Sequence, residues 1–274
     1  MKEYGYKELS EEEKQKPYAK YFYKKPEEPM PEAFAPFDKP IDVSKALMPE
    51  NINDLLNPGY LEAETGWCIL PNGAGYLANH VKMPGVSVDM INWWFAWIGL
   101  EPLRYKIWYP KDHYDISVSD EHRKIMLDPK TPAVKKFQGL TETVIENIGS
   151  GAEKIIFNFL TPEEFGFDMT RFKAPLVGTL VGANVFVKPK LFFMPKVPVL
   201  MCHFIREIDN GIEFRSRYWA GYSMINKKPK CKLPPLVKVP ASTLKGLAVH
   251  NVYEYTNLAS FLPQLYEEQK GIVA

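Results

Sequence analysis

Two residues one helical turn apart, His250 and Glu254 in the run Ala248-Val249-His250-Asn251-Val252-Tyr253-Glu254-Tyr255, carry donor atoms suited to a metal ion. On a helix this spacing puts the imidazole and the carboxylate on one face. A plain polar helix face has the same spacing, so the short HxxxE motif needs partners elsewhere. His113 and Glu146 are the candidates, and Glu142 shares a strand face with Glu146 by period two and rivals it. An acid among Val144, Ile145 and Ile148 needs a partner if it faces inward, and is an exposed strand residue if it does not. Imidazole nitrogen with carboxylate oxygen suits Zn²⁺, with Fe²⁺ and Mn²⁺ closer to it than Ca²⁺ or Mg²⁺.

The elements that would position these groups can be followed along the chain. Residues 1–60 are punctuated by Pro26, Pro29, Pro31, Pro36 and Pro40, which rules out a continuous helix or central strand. They read as an extended arm, then short helices near Val43 to Leu56, packing on the main body or on a second subunit. The main domain is expected over 61–274. Gly66 to Met83 reads strand, turn at Pro71-Asn72-Gly73, strand. Ser87 caps an apolar helix, Val88 to Ile98, that Gly99 ends, with Trp93, Trp94 and Trp97 as packing residues. Leu103 to Tyr109 alternates like a strand closed by Pro110, with Tyr105, Ile107 and Tyr109 on one face and His113 just past its end. Residues 141–148 form a strand, Gly149-Ser150-Gly151 turns the chain, and Lys154 to Leu160 returns.

Asn210-Gly211 is the strongest short hairpin signal, flanked by Val199 to Ile208 and Ile212 to Ile225. With Asn210 and Gly211 as loop residues, Asp209 pairs with Ile212 and His203 lies opposite Tyr218 on the same face. That pair is either structural or the polar end of a pocket. Ser242 is the expected N-cap of a helix from Thr243 to about Gln269, with Leu244, Leu247, Leu258 and Leu262 at helical spacing and Pro263 as a kink. Many antiparallel strands followed by one long helix give an α+β fold, a curved sheet gripping the C-terminal helix with a cavity between them.

Composition narrows the function. A net charge of +1 without an extended basic run argues against nucleic acid or anionic lipid as partner. Aromatic residues make up 14% of the chain, which supplies flat apolar walls for an aromatic ligand as well as a core. Three widely spaced cysteines, Cys68, Cys202 and Cys231, exclude a ribbon-type zinc site and a disulfide framework. The polar start Met1 to Gly5 shows no signal core, and the greasiest run, Met90 to Leu100, is too short to span a bilayer. A soluble, cytoplasmic protein is expected.

The string Glu101-Pro102-Leu103-Arg104-Tyr105-Lys106-Ile107-Trp108-Tyr109-Pro110-Lys111-Asp112-His113, then Val144-Ile145-Glu146-Asn147-Ile148-Gly149, then His250-xxx-Glu254, resembles the phloretin hydrolase and diacetylphloroglucinol hydrolase family over most of the chain, in the same order. The resemblance implies a zinc-dependent C–C bond hydrolase that detaches an acyl group from a phloroglucinol ring. It implies a helix-grip (Bet v 1-like) domain after a small N-terminal helical region, while the N-terminal arm, by analogy, points to a homodimer. It further implies that His113, Glu146, His250 and Glu254 hold the zinc, and that Tyr105, His203 and Tyr218 contact the substrate and move protons, His203 being the best acid or base by intrinsic pKa. The substrate is then phloretin, giving phloroglucinol and 3-(4-hydroxyphenyl)propanoate, or diacetylphloroglucinol, giving monoacetylphloroglucinol and acetate. Ile116 stands where the diacetylphloroglucinol enzyme has a polar Asn, which favours phloretin or another bulky acylphloroglucinol. Two other readings share these features: a non-catalytic carrier of hydrophobic ligands, and a zinc esterase or amidase.

Overall fold

The computed structural model describes residues 7–149, 151–187 and 197–271. Ser150 of the predicted turn and the N-terminal stretch Met1 to Gly5 lie outside them. In chain order the elements are α1 (Glu11–Lys14), α2 (Lys20–Tyr23), β1 (Gly66–Ile69), β2 (Gly75–Pro84), α3 (Val88–Ile98), α4 (Pro102–Lys106), β3 (His113–Val118), α5 (Asp120–Leu127), β4 (Thr141–Asn147), β5 (Ala152–Leu160), α6 (Pro162–Phe165), β6 (Thr179–Val187), β7 (Pro198–Ile208), β8 (Gly211–Ala220), β9 (Tyr222–Ile225), β10 (Lys228–Cys231) and α7 (Ala241–Gln269). Short 3-10 turns, among them Val43–Lys45 and Pro49–Leu56, fill the interval before β1.

The expected α+β order is present. Eight strands form one antiparallel sheet in the order β1-β2-β8-β7-β6-β5-β4-β3, and α7 packs on it against β2 and β1 and beside α3. Alternation along β7 shows why the sheet carries a core on each side. Met201 and Ile205 face α7 and α3, whereas Leu200, Cys202 and Phe204 point the other way, toward Leu55, Leu56 and Phe165. Both faces are therefore apolar. The proline-rich start divides between these layers. Tyr18, Tyr21 and Phe22 bury themselves on the α7 side, and Leu47, Ile52 and Leu55 on the opposite side. Much of the arm's apolar surface is thus used within the chain, though Tyr23, Met30 and Tyr60 stay exposed, and a homodimer does not follow from it. Among the described residues no helix is long and apolar enough to cross a membrane.

Three local expectations need correction. Leu103 to Tyr109 is not a strand: Pro102, with its fixed φ and missing N–H, opens the short helix α4. The apparent alternation was empty because Arg104 and Trp108 are buried along with Leu103, Tyr105 and Ile107. His113 accordingly opens β3 instead of following a strand. In the β7–β8 hairpin the loop residues are Asp209 and Asn210, so Ile208 pairs with Gly211, His203 with Ser216 and Met201 with Tyr218. Gly211 belongs to the strand because a Cβ there would lie 2.3 Å from the Met83 carbonyl oxygen of β2. The two-residue change of register keeps His203 and Tyr218 on one face, as diagonal neighbours with ring centroids 5.5 Å apart. The long return strand also breaks at Gly221, φ 103°, and β9 pairs with β10 as a separate ribbon. Finally α7 starts at Ala241 after Pro240, so Ser242 lies in its first turn and is not its cap. The β1–β2 and β4–β5 hairpins and the Ser87-capped α3 stand as expected.

On the face away from α7, Glu64 accepts from Arg215 and Arg217, each at 2.6 Å, with both guanidinium side chains almost wholly buried. Burial pushes the Glu64 carboxyl up, but the two guanidinium groups outweigh it and hold it at about 2. Folded below unfolded means that its stabilisation, about 3 kcal/mol, is complete above pH 4.5 and lost as pH falls toward 2. Glu64→Ala strands two buried cations and is expected to lower the unfolding free energy by about 3–5 kcal/mol at pH 7. Urea melts at pH 7 and pH 3 check this, and equal midpoints for variant and parent at pH 7 would refute it.

Candidate metal centre and cavity

Helical spacing on α7 and register in the sheet bring the predicted donors together. His250 and Glu254 face the sheet and are 6% and 7% exposed. His113 and Glu146 are cross-strand partners in the β3–β4 ladder, with a bulge just after His113. The two imidazole Nε2 atoms lie 3.3 Å apart. Glu254 Oε2 is 3.6 Å from each of them. Glu146 Oε2 is 3.5 Å from His113 and 3.9 Å from His250. Ligands held tetrahedrally about 2 Å from one ion stand roughly 3.3 Å apart, so these spacings fit one. His113, His250 and Glu254 form a buried group able to hold a metal ion, and Glu146 borders it. Glu142 does not join it. It pairs with Val118 and Phe157 further along β4 and lies beside Gly99.

The electrostatics are those of donors converging on one point. Burial lifts the Glu254 carboxyl to about 8 and also raises that of Glu146. Burial and the neighbouring His250 hold His113 well below its ordinary value. His250 is pulled down by burial but more strongly up by Glu254, Asp112 and Glu146, reaching about 9. Two buried carboxylates and two imidazoles with facing nitrogens are relieved together by a cation between them. The donor set therefore fits a divalent ion such as zinc.

Neighbours fix the donors in place. The Tyr105 hydroxyl donates to Glu146 Oε2, and its ring stacks on His113 at 4.3 Å. Asn251 donates to Glu254 Oε1 at 3.1 Å and to the Tyr218 hydroxyl at 2.8 Å, while its own oxygen accepts from Asn79 at 2.6 Å. Trp108 donates its indole N–H to the Glu254 carbonyl at 3.0 Å. Asp112 and Asn251 sat inside motifs already singled out, whereas Asn79, on a strand more than a hundred residues away in sequence, carried no signal.

Tyr105, His203, Tyr218 and the donors Glu146, His250 and Glu254 line one cavity of about 90 Å³. Its remaining wall is mostly apolar, with Phe95, Ile155, Phe157, Phe159 and Met201. Burial lowers His203 to about 3. The ring is neutral near pH 7, so its intrinsic pKa was the wrong guide to its role. It is bonded on both sides, Nδ1 to Ser216 Oγ at 2.7 Å and Nε2 to the Tyr255 hydroxyl at 2.9 Å. Burial and then the nearby carboxylates push the Tyr105, Tyr218 and Tyr255 hydroxyls well above their usual range, leaving all three as proton-bearing donors. Ile116 is buried in the surrounding core but is not part of the cavity wall.

Residues 47–267 match the family described as the DAPG hydrolase PhiG domain. The chain is 32% identical over 267 residues to a phloretin hydrolase of Eubacterium ramulus, covering 96% of this chain and 93% of that protein. It is 30% identical over 270 residues to a 2,4-diacetylphloroglucinol hydrolase of Pseudomonas protegens, covering 92% and 84%. A 2,4-diacetylphloroglucinol hydrolase of a Pseudomonas species is also 30% identical, covering 92% and 88%.

His250→Ala removes one donor and leaves the carboxylates without it. The expected outcome is loss of tightly held metal, from about one ion per chain to near none after dialysis, by elemental analysis. Asn251→Ala keeps the donors but frees Glu254, and is expected to weaken metal affinity about 10–100-fold. Undiminished metal in His250→Ala would refute the site.

Proposed function

We propose, because the chain belongs to the DAPG hydrolase family, that it is a hydrolase cleaving the C–C bond between an acyl carbonyl and a phloroglucinol ring, with Zn²⁺ held by His113, Glu146, His250 and Glu254. The observation that carries this reading is the convergence of those four residues, three of which line a largely apolar, aromatic cavity. A carrier of apolar ligands has no use for such a convergence.

An aryl carbanion is too poor a leaving group for direct cleavage. A polyhydroxylated ring can instead shift to a keto tautomer, which makes the scissile bond that of a 1,3-dicarbonyl. Water then adds to the acyl carbonyl, the C–C electron pair passes into the ring as an enolate, and a proton ends on the ring carbon. The products are the free phloroglucinol and a carboxylic acid. When bound, a zinc ion supplies Lewis acidity toward a carbonyl oxygen and activation of water near neutral pH.

The chain's own groups do the rest. Tyr218, held protonated and accepting from Asn251, donates a hydrogen bond to a ring or acyl oxygen as charge develops there, while Tyr105, whose proton goes to Glu146, accepts from a ring hydroxyl. His203, neutral and bonded to Tyr255 and Ser216, relays a proton between hydroxyls without taking a charge. Asn251 sets the Tyr218 hydroxyl and the Glu254 carboxylate at a fixed separation. The phenyl-rich wall excludes bulk water and suits an aromatic acyl arm, which supports phloretin over diacetylphloroglucinol as the preferred substrate.

The test is chromatography of purified, metal-loaded protein with phloretin and with diacetylphloroglucinol, before and after chelation. Chelator-sensitive release of phloroglucinol from phloretin is expected. His203→Ala and Tyr218→Phe are expected to keep their metal and lose kcat about 100-fold or more. Turnover of phenyl esters without cleavage of either ketone would replace this reading by a zinc esterase, and equal metal loss in both variants would overturn the division of roles.

A further inference from the structure

Glu142 is the carboxyl of the cavity wall that neither the metal donors nor the proposed reaction uses. It is 3% exposed, and its Oε1 has no hydrogen-bond partner among the described residues. The surroundings make room for it. A Cβ on Gly99 would come within 2.6 Å of that oxygen and 2.7 Å of the Met126 methyl. Phe95, Ile98 and Phe159 line the same cavity and offer no polar atom from their side chains. Buried polar groups are almost always paired, and a carboxyl that lines a cavity can be satisfied by what enters it. Burial lifts the carboxyl to about 8, so near pH 7 it is a neutral acid that can both donate and accept.

The strand acts as a ruler. Glu142 and Glu146 lie on the same face of β4 with Val144 between them, and four residues at about 3.3–3.4 Å each separate their backbones by about 13 Å. With bonds of about 1.5 Å, a 3-(4-hydroxyphenyl)propanoyl arm reaches roughly 8 Å from its carbonyl carbon to its phenolic oxygen. With a metal contact of about 2 Å at one end and a hydrogen bond of about 2.7 Å at the other, the arm has a reach of the same order as that backbone separation. An acetyl group reaches none of it.

We propose that Glu142 is the specificity residue at the far end of the cavity, hydrogen-bonding a hydroxyl at the tip of the acyl arm, so that the site selects acylphloroglucinols whose arm ends in a phenol. This rests on the acylphloroglucinol reading above. It places Glu142 too far from the donors to be a ligand or to protonate the ring carbon.

The experiment compares phloretin with its analogue lacking the hydroxyl on the propanoyl phenyl ring, for metal-loaded wild type and for Glu142→Leu, by phloroglucinol release. Wild type is expected to favour phloretin in kcat/KM by at least about tenfold, since a site built to bond a hydroxyl rejects the compound without it. Glu142→Leu is expected to collapse that ratio to about one, chiefly through KM for phloretin, with metal content retained. Because the change removes an unpaired buried carboxyl, its melting temperature is expected to rise or hold. No preference in wild type, or the same preference in Glu142→Leu, overturns the assignment while leaving the hydrolase reading intact. Cleavage of neither compound by metal-loaded wild type overturns the hydrolase reading and this inference with it. The wild-type comparison decides the matter even if the variant is not obtained folded.

Discussion

Two carboxylates and two imidazoles share one buried point, and the cost of keeping them there shapes the molecule around it. Glu146 and Glu254 are lifted by burial, and their oxygens lie within 3.9 Å of the facing histidine nitrogens. Without compensation such a cluster opposes folding. A cation at its centre reverses the sign, so metal affinity and fold stability become one quantity. The donors come from β3, β4 and α7, which are far apart in sequence. Closing the site therefore depends on the whole sheet and the helix laid across it.

That dependence explains the straps on α7. Lys20 and Tyr21 bond Glu268 near its end. The Glu27 amide donates to Asn257, which in turn donates to the Trp108 carbonyl at 2.7 Å. The proline-rich start thus ties the helix carrying His250 and Glu254 to the loop leading into His113. On the reverse side the second apolar layer and the Glu64 pairings stiffen β7 and β8, whose front faces present His203 and Tyr218. A sheet packed on its back can leave space on its front. The cavity exists because the back layer supplies the burial that the front gives up.

What could be read beforehand divides along the same line. Helical spacing placed His250 and Glu254 together, strand parity kept Glu142 and Glu146 on one face, and Asn210 marked the hairpin, because each signal is local and periodic. Parity also protected the His203–Tyr218 contact from a register error, since a shift of two changes the partner but not the face. The failures had non-local causes. Gly211 answered to Met83 on a neighbouring strand, and α4 is buried on nearly every side, which erases any period. Asn79 could not be found at all: its mark is the bond it makes to Asn251 on the helix packed against its strand. The relation of Glu142 and Glu146 to the histidines was likewise tertiary, since only the β3–β4 register puts Glu146 across from His113.

The same burial that makes the donor cluster costly also gives the cavity a direction. Away from the metal donors every titratable group of the wall is held neutral: His203 is lowered to about 3, Glu142 is raised to about 8, and the tyrosines are raised well above 10. A substrate phenolate meets no compensating charge there and is disfavoured. In the reaction proposed above, negative charge would be favoured where a bound cation compensates it, near the Tyr105 and Tyr218 hydroxyls. For a reaction that must pass an electron pair from a C–C bond into a ring, this asymmetry is preorganisation. It holds the ring's remote hydroxyls neutral, and hence able to tautomerise, and it confines the ionic steps to one wall. The apolar lining therefore contributes to the chemistry as well as to affinity, by deciding where charge is permitted.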